Sequence, residues 1–133
     1  MKLSRKSEYA CLAMIDLSEL HDQGFVKIED ISRRKDIPRK YLEQILLILK
    51  GSGYIRSRRG VEGGYKLSKP PDAISLAEIL RLMDGALAPI ESVSRYFYEP
   101  SPIEKHEPLL NLFKDIRDYI AQKMESTTLA DLI

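Results

Sequence analysis

The sequence predicts a mainly α-helical chain with one small β-hairpin, and three observations lead there. Apolar residues recur at helical spacing through five stretches of the chain. Apolar and polar residues alternate on both sides of a glycine-rich turn at residues 59–64. A late amphipathic stretch, about 108–126, is long enough for a helix of roughly five turns.

Taken in order, residues 4–21 read as a helix. Ser4 suits the N-cap, Tyr9, Leu12, Ala13, Leu17 and Leu20 recur at helical spacing, and Gly24 stops it. Phe25-Val26-Lys27 is a short extended link. A brief second helix over Glu29–Asp36 turns Ile28, Ile31 and Ile37 inward. Pro38 opens a third helix, since a first turn tolerates a residue without an N–H. That helix runs to about Lys50 and buries Leu42, Ile45, Leu46 and Leu49; Gly51-Ser52-Gly53 ends it. Tyr54–Arg58 and Tyr65–Leu67 follow as half-buried strands about the turn. Two short helices joined tightly, then a hairpin with a basic, flexible tip, make a winged helix-turn-helix.

Pro70-Pro71 punctuates the chain. Ser75 with Glu78 forms a capping box for a fourth helix through Leu76, Ile79, Leu80, Leu82 and Met83, closed by Gly85. Residues 86–107 are irregular, with Pro89, Pro100 and Pro102 among them. The long helix then starts at Pro108. Its stripe of Leu109, Leu112, Phe113, Ile116, Tyr119, Ile120 and Met124 has little of its own chain left to cover it. A dimerisation seam formed by Leu109, Leu112, Phe113, Ile116, Tyr119 and Ile120 is therefore expected, with intramolecular core as the alternative. The tail, residues 128–133, is too apolar for a free end and is expected to dock. Residues 1–70 thus make a winged helix-turn-helix region, and residues 71–133 a helix, a linker loop and the dimerisation helix, all in one compact unit.

Hydrophobic residues make up 44% of the chain and charged residues 31%, which suits a globular domain. The formal net charge of +1 hides a polarity. Residues 1–70 carry 15 Lys and Arg against 9 Asp and Glu, whereas residues 71–133 carry 6 against 11. A basic front half points toward a polyanion, although scattered surface charge gives a similar imbalance. The longest apolar run, Ile45–Leu49, is far short of a membrane span. Glu8 and Asp16 interrupt any signal-like stretch, and the single cysteine, Cys11, forms no internal disulfide. A cytoplasmic protein is expected.

Three groups of residues suit contact with double-stranded DNA. The first turns of the third helix carry Arg39, Lys40, Tyr41, Glu43 and Gln44. Glutamine bonds adenine through two atoms and glutamate accepts from the cytosine amino group, so Glu43 and Gln44 suit base edges; Arg39 and Lys40 suit phosphates. In the hairpin, Arg56, Arg58 and Arg59 bring charge, while Gly60, Gly63 and Gly64 permit sharp bending and close approach. An arginine at such a tip fits a narrow minor groove. Lys2, Ser4, Arg5 and Lys6 offer further phosphate contacts. The opposing reading is a solubilising helix face beside a turn whose glycines only make the turn.

The stretch Gly53-Tyr54-Ile55-x-Ser57-x-Arg59-Gly60-x-x-Gly63-Gly64-Tyr65-x-Leu67 closely resembles the wing signature of the IscR/NsrR/CymR family of bacterial repressors. The resemblance extends to Ser7-x-Tyr9-Ala10 and to Ile37-Pro38-x-x-Tyr41-Leu42-Glu43-Gln44-Ile45-Leu46. It continues through Ser75-Leu76-x-Glu78-Ile79 and Thr128-Leu129-Ala130-Asp131-Leu132, nearly the whole chain. It implies a homodimeric repressor that crosses its long helices and sets two winged domains on a palindromic operator. It also implies base reading by Tyr41, Glu43 and Gln44 and a wing role for Arg59.

One departure stands out. Many relatives hold an iron–sulfur cluster through three cysteines in the loop before the long helix. Here that loop runs through Ser92, Arg95, Tyr96, Phe97, Tyr98 and His106 without a cysteine. Cluster iron takes thiolates, less often imidazole or carboxylate, and Glu8, Cys11 and His106 are only a partial set. No iron–sulfur cluster or other cofactor is expected. The chain is more similar to the cluster-free branch, whose members respond to sulfur-amino-acid supply through partner proteins. A small-molecule or protein effector is thus implied.

Cys11, beside Leu12 and Ala13 in an apolar helix, reads as a structural thiol rather than a redox switch. Tyr96-Phe97-Tyr98 suits equally the lining of a small-molecule pocket and local core. His106 reads as a surface or cap residue, and His21 as a helix C-terminal group. With two histidines, one cysteine and no phosphate loop or nucleophile motif, the sequence offers no catalytic constellation. A winged-helix module that docks on another protein is the alternative to a DNA binder, but it calls for exposed apolar residues where this hairpin is cationic.

Overall fold

The computed structural model of the protein describes residues 2–133. Five α-helices and a two-stranded sheet follow one another as α1 (Arg5–Glu19), α2 (Ile28–Lys35), α3 (Arg39–Gly51), β1 (Ile55–Arg58), β2 (Gly64–Leu67), α4 (Leu76–Asp84) and α5 (Glu107–Ser126). Short 3₁₀ turns fill the connections. The mainly helical architecture with one antiparallel hairpin is the one the sequence predicts.

The helix ends follow local chemistry. The Ser4 hydroxyl accepts from the Ser7 N–H and starts α1. That helix stops at Glu19, two residues short of the expected end, and the turn through Gly24 follows. Asp36, expected as the last residue of α2, lies just outside it in a left-handed conformation with φ of 53°, which aspartate tolerates better than most residues. Pro38 caps α3 rather than opening it: its ψ of 128° is extended, and helical backbone begins at Arg39. Ser75 and Glu78 form the expected capping box on α4. The His106 ring accepts from the Leu109 N–H at 3.3 Å, so α5 begins one residue earlier than Pro108.

The main core lies between α1, α2, α3 and the wing, and it reaches past residue 70. Met14, Leu17, Ile31, Ile37, Leu42, Ile45, Leu46, Leu49 and Ile55 share it with Ile74, Ile79 and Leu129. A second cluster, Ala77, Leu80 and Leu87, receives Ile120 and Met124 from α5 and Cys11 from α1. The tail docks as expected. The Leu129 N–H donates to Ile74 O at 3.0 Å and the Leu76 N–H donates to Thr127 O at 2.8 Å, so the closing segment pairs with the start of α4. Leu132 and Ile133 stay exposed.

Two polar ties set helix positions. Arg34 of α2 grips the buried Asp16 carboxylate of α1 through two nitrogens, each at 2.9 Å. The Ser32 hydroxyl donates to Ile37 O at 2.6 Å across the α2–α3 turn. A buried carboxylate is tolerated only when paired in this way. Together these ties hold α2 against α1 and close the turn that leads into α3.

Candidate nucleic-acid interface

The third helix sorts its residues cleanly. Leu42, Ile45, Leu46 and Leu49 are buried, and Arg39, Lys40, Tyr41, Glu43, Gln44 and Leu47 are exposed. Residues three and four apart share a helix face, so Lys40, Glu43, Gln44 and Leu47 form one outward stripe. Lys40, Tyr41 and Gln44 line a shallow concavity. The Tyr41 ring tilts against Tyr9 of α1 at 5.7 Å between centroids, which holds an otherwise mobile aromatic near the start of the helix. Arg39 bridges Glu29 at 3.1 Å and Glu43 at 3.3 Å. These pairs are solvent-exposed and weak, so both partners remain available to a stronger charge.

The wing is better supported than its two strands suggest. Ile55 pairs with Leu67, Arg56 with Lys66, Ser57 with Tyr65 and Arg58 with Gly64. Paired residues share a face and alternate along each strand, so Ile55 and Leu67 face the core while Arg56, Arg58 and Lys66 face out together. On the free side of β2, Val26 pairs with Tyr65 through two backbone hydrogen bonds of 2.8 Å. The α1–α2 link therefore acts as a third strand. A Cβ on Gly64 would run into the Val26 carbonyl, and one on Gly63 into the Arg58 carbonyl. Gly60, at φ of 99°, turns the tip. Arg59 is exposed beside it.

The remaining predicted contacts lie elsewhere. Ser4 gives its N–H and its hydroxyl to the Asp84 carboxylate at the end of α4, at 3.0 and 2.5 Å. Arg5 pairs with Glu8 at 3.3 Å. Burial would raise the Asp84 carboxyl, but the Ser4 hydrogen bonds outweigh it, and with the Lys6 charge they hold it below the usual carboxylate range. Ser4 and Arg5 are thus tied to the α1–α4 junction rather than to α3 or the wing.

Phe25, Val26 and Lys27 were legible only as a link, although an aromatic and a β-branched residue after Gly24 are a strand signal. The Phe25 ring lies under Arg58 at 5.5 Å and under Lys66 at 5.6 Å. The Lys27 ammonium donates to the Gly60 carbonyl at 2.7 Å.

A sequence model of the Rrf2 family, described as iron-dependent transcriptional regulators, matches residues 3–133. The chain belongs to the Rrf2 family. It is 35% identical over 133 residues to the HTH-type transcriptional regulator CymR of Bacillus subtilis, covering 99% of this chain and 89% of that protein. The solved structure of CymR, the global cysteine regulator of B. subtilis, superposes with a TM-score of 0.81 at 32% identity, covering 99% of this chain and 95% of that one. T. potens IscR superposes at 0.77 with 29% identity, covering 99% and 85%. This Rrf2 protein is accordingly a DNA-binding transcription regulator of winged-helix architecture. No helix among the described residues is long and apolar enough to cross a membrane.

The family description raises the question of iron, and the donor set of this chain does not suit it. Burial, followed by the nearby Asp84 charge, pushes the Cys11 thiol up to about 11. It is the only sulfur nucleophile in the chain and packs on the Ala77–Leu80–Leu87 cluster. Metal-ligating sulfur must be a thiolate. In the α4–α5 loop, the Ser92 hydroxyl bonds Ser101 at 2.8 Å and the Tyr98 hydroxyl donates to Glu104 at 2.6 Å. Among the described residues, no three His, Cys, Asp or Glu side chains stand together as ligands. The residues do not fit an iron–sulfur cluster. In the same loop Tyr96 is exposed under the Arg81 guanidinium at 4.8 Å, and Phe97 lines a cleft of about 410 Å³ beside Leu87 and Gly85.

Proposed function

We propose that this Rrf2 protein is a cytoplasmic, homodimeric repressor that reads a palindromic operator with α3 in the major groove and the wing in the adjacent minor groove. The observation that carries the reading is the pair of exposed polar surfaces on consecutive elements: the polar stripe of α3 and, three residues beyond that helix, a wing whose outward face bears Arg56, Arg58 and Lys66, with Arg59 at its tip. Tyr41, Glu43 and Gln44 meet base edges, Arg39 and Lys40 meet phosphates, and Arg58 and Arg59 follow the minor groove. Gly60, Gly63 and Gly64 shape the tip, whereas Ser4 and Arg5, engaged with Asp84 and Glu8, stand outside this surface.

The second copy docks on α5. Leu109, Leu112, Ile116 and Tyr119 are exposed along one helix at 39%, 52%, 38% and 71%. Such a run of apolar surface is a binding face rather than a solvated one. Phe113 flanks it, and Ile120 turns toward α4 and braces the helix from within. Residues 1–70 then serve DNA binding, and residues 71–133 serve assembly and signal reception. CymR is described as a cysteine regulator in B. subtilis, and sulfur-amino-acid supply, relayed by a small molecule or a partner protein, is the signal proposed here. A protein-docking wing is disfavoured by its cations.

Selection of bound genomic fragments by the purified protein tests the reading. Recovery of a shared inverted repeat supports it. Failure to prefer any duplex over random competitor at moderate salt, with and without sulfur metabolites, overturns it.

A further inference from the structure

We propose that Lys27 is a positioning residue for the wing, fixing through the Gly60 carbonyl the direction in which Arg59 is presented; the inference rests on the wing reading above. A hairpin of two four-residue strands is marginally stable alone. Its tip bends freely at Gly60, so an arginine there would lose much of its binding energy to ordering. The α1–α2 link removes that freedom. Its Val26 is held by two backbone hydrogen bonds to Tyr65, so the neighbouring residues leave a fixed point. Residues 25 and 27 project to the same face of this extended segment, the face opposite the buried Val26 side chain.

On that face the two do different work. Phe25 lies beneath Arg58 and Lys66 and steadies the wing's cations from below. Lys27 reaches the tip itself. The Gly60 carbonyl accepts from the Lys27 ammonium at 2.7 Å and from the Gly63 N–H at 3.0 Å. This carbonyl belongs to the Gly60–Val61 peptide; Gly60 directly follows Arg59, which on its other side adjoins the Arg58–Gly64 strand pair. With both lone pairs engaged that carbonyl cannot rotate freely, and Arg59, held between the pinned Gly60 and the strand pair, inherits the constraint. An ammonium on a carbonyl is also a charge-assisted bond, stronger than a neutral one.

The test is a double-mutant cycle on the tightest duplex recovered from a randomised palindromic library. Lys27→Met keeps the aliphatic stem and removes the donor. It is expected to weaken that duplex about fivefold, to leave random-sequence binding and the salt slope unchanged, and to change affinity less than about twofold once Arg59 is already alanine. Lys27→Arg, which retains a cationic donor, should recover most of the loss. Without DNA, Lys27→Met should speed hydrogen exchange at the Gly63 amide while leaving the Tyr65 amide protected. An equal loss in both Arg59 backgrounds, or a uniform loss with a shallower salt slope, makes Lys27 a direct phosphate contact and overturns the inference. An Arg59→Ala cost with no Lys27→Met cost overturns the inference and leaves the wing reading standing. No cost from Arg59→Ala defeats both.

Discussion

Helices α3 and α5 are both amphipathic, yet they spend their faces in opposite ways. In α3 the apolar stripe is fully used within the chain: Leu42, Ile45, Leu46 and Leu49 are all at 0% exposure, and the polar stripe is presented outward. In α5 only Ala121 is buried, and the larger apolar residues of its first four turns stay at least partly open. An unused polar face with neighbouring cations suits a polyanion, whereas an unused apolar face suits another copy of itself. Under the proposed function, the same periodicity serves recognition in one half and assembly in the other.

The largest effect is expected where that contrast is reversed. Leu112→Asp with Ile116→Asp places charge in the proposed seam and should yield monomers by light scattering. Operator affinity should fall by about a hundredfold or more, because the second half-site no longer binds as part of one complex. A persistent dimer would place the seam elsewhere. Next, Leu46→Ala should lower the unfolding free energy by about 3 kcal/mol through a buried cavity, measured by denaturant titration. Leu109→Ala, examined in the monomeric double variant, should cost less than about 0.5 kcal/mol.

A smaller effect separates reading from mere attraction. Arg59→Ala should weaken specific operator binding about tenfold, with little change in the salt slope, in competition titrations at several ionic strengths. The smallest concerns the tie between the two halves. Asp84→Asn should cost about 0.5 kcal/mol at neutral pH by weakening the bonds from Ser4. The folded carboxyl lies below its ordinary value, so this contribution is full above that value and fades as pH falls through the folded pKa. Stability curves of the two proteins should converge in acid.

Much of the interface was legible because its signals are local. Turn glycines, alternation and the Pro38 break are read within a few residues, so α3 and the hairpin were expected nearly where they lie. Boundaries missed by one or two residues, as at Asp36 and Pro38, where backbone conformation rather than composition ends the element. In the sequence the link at Phe25–Lys27 shows only as a connection, since a single residue pairing across 39 positions, Val26 to Tyr65, leaves no periodicity to detect. The α5 stripe was legible as a stripe, but its division was not: Ile120 and Met124 face α4, and Leu112 and Ile116 do not.

The sequence by itself determined which segments are helical, where the hairpin turns, and that the loop before α5 has no thiols for a cluster. Those are properties of single residues and of short-range spacing, fixed before the chain folds. Only the tertiary structure decided that Ser4 is tied to Asp84, that Tyr9 supports Tyr41, and that Lys27 reaches the wing tip. Each depends on where α1 and its link come to rest. That is set by burial summed over the whole core, a quantity no local stretch of sequence contains.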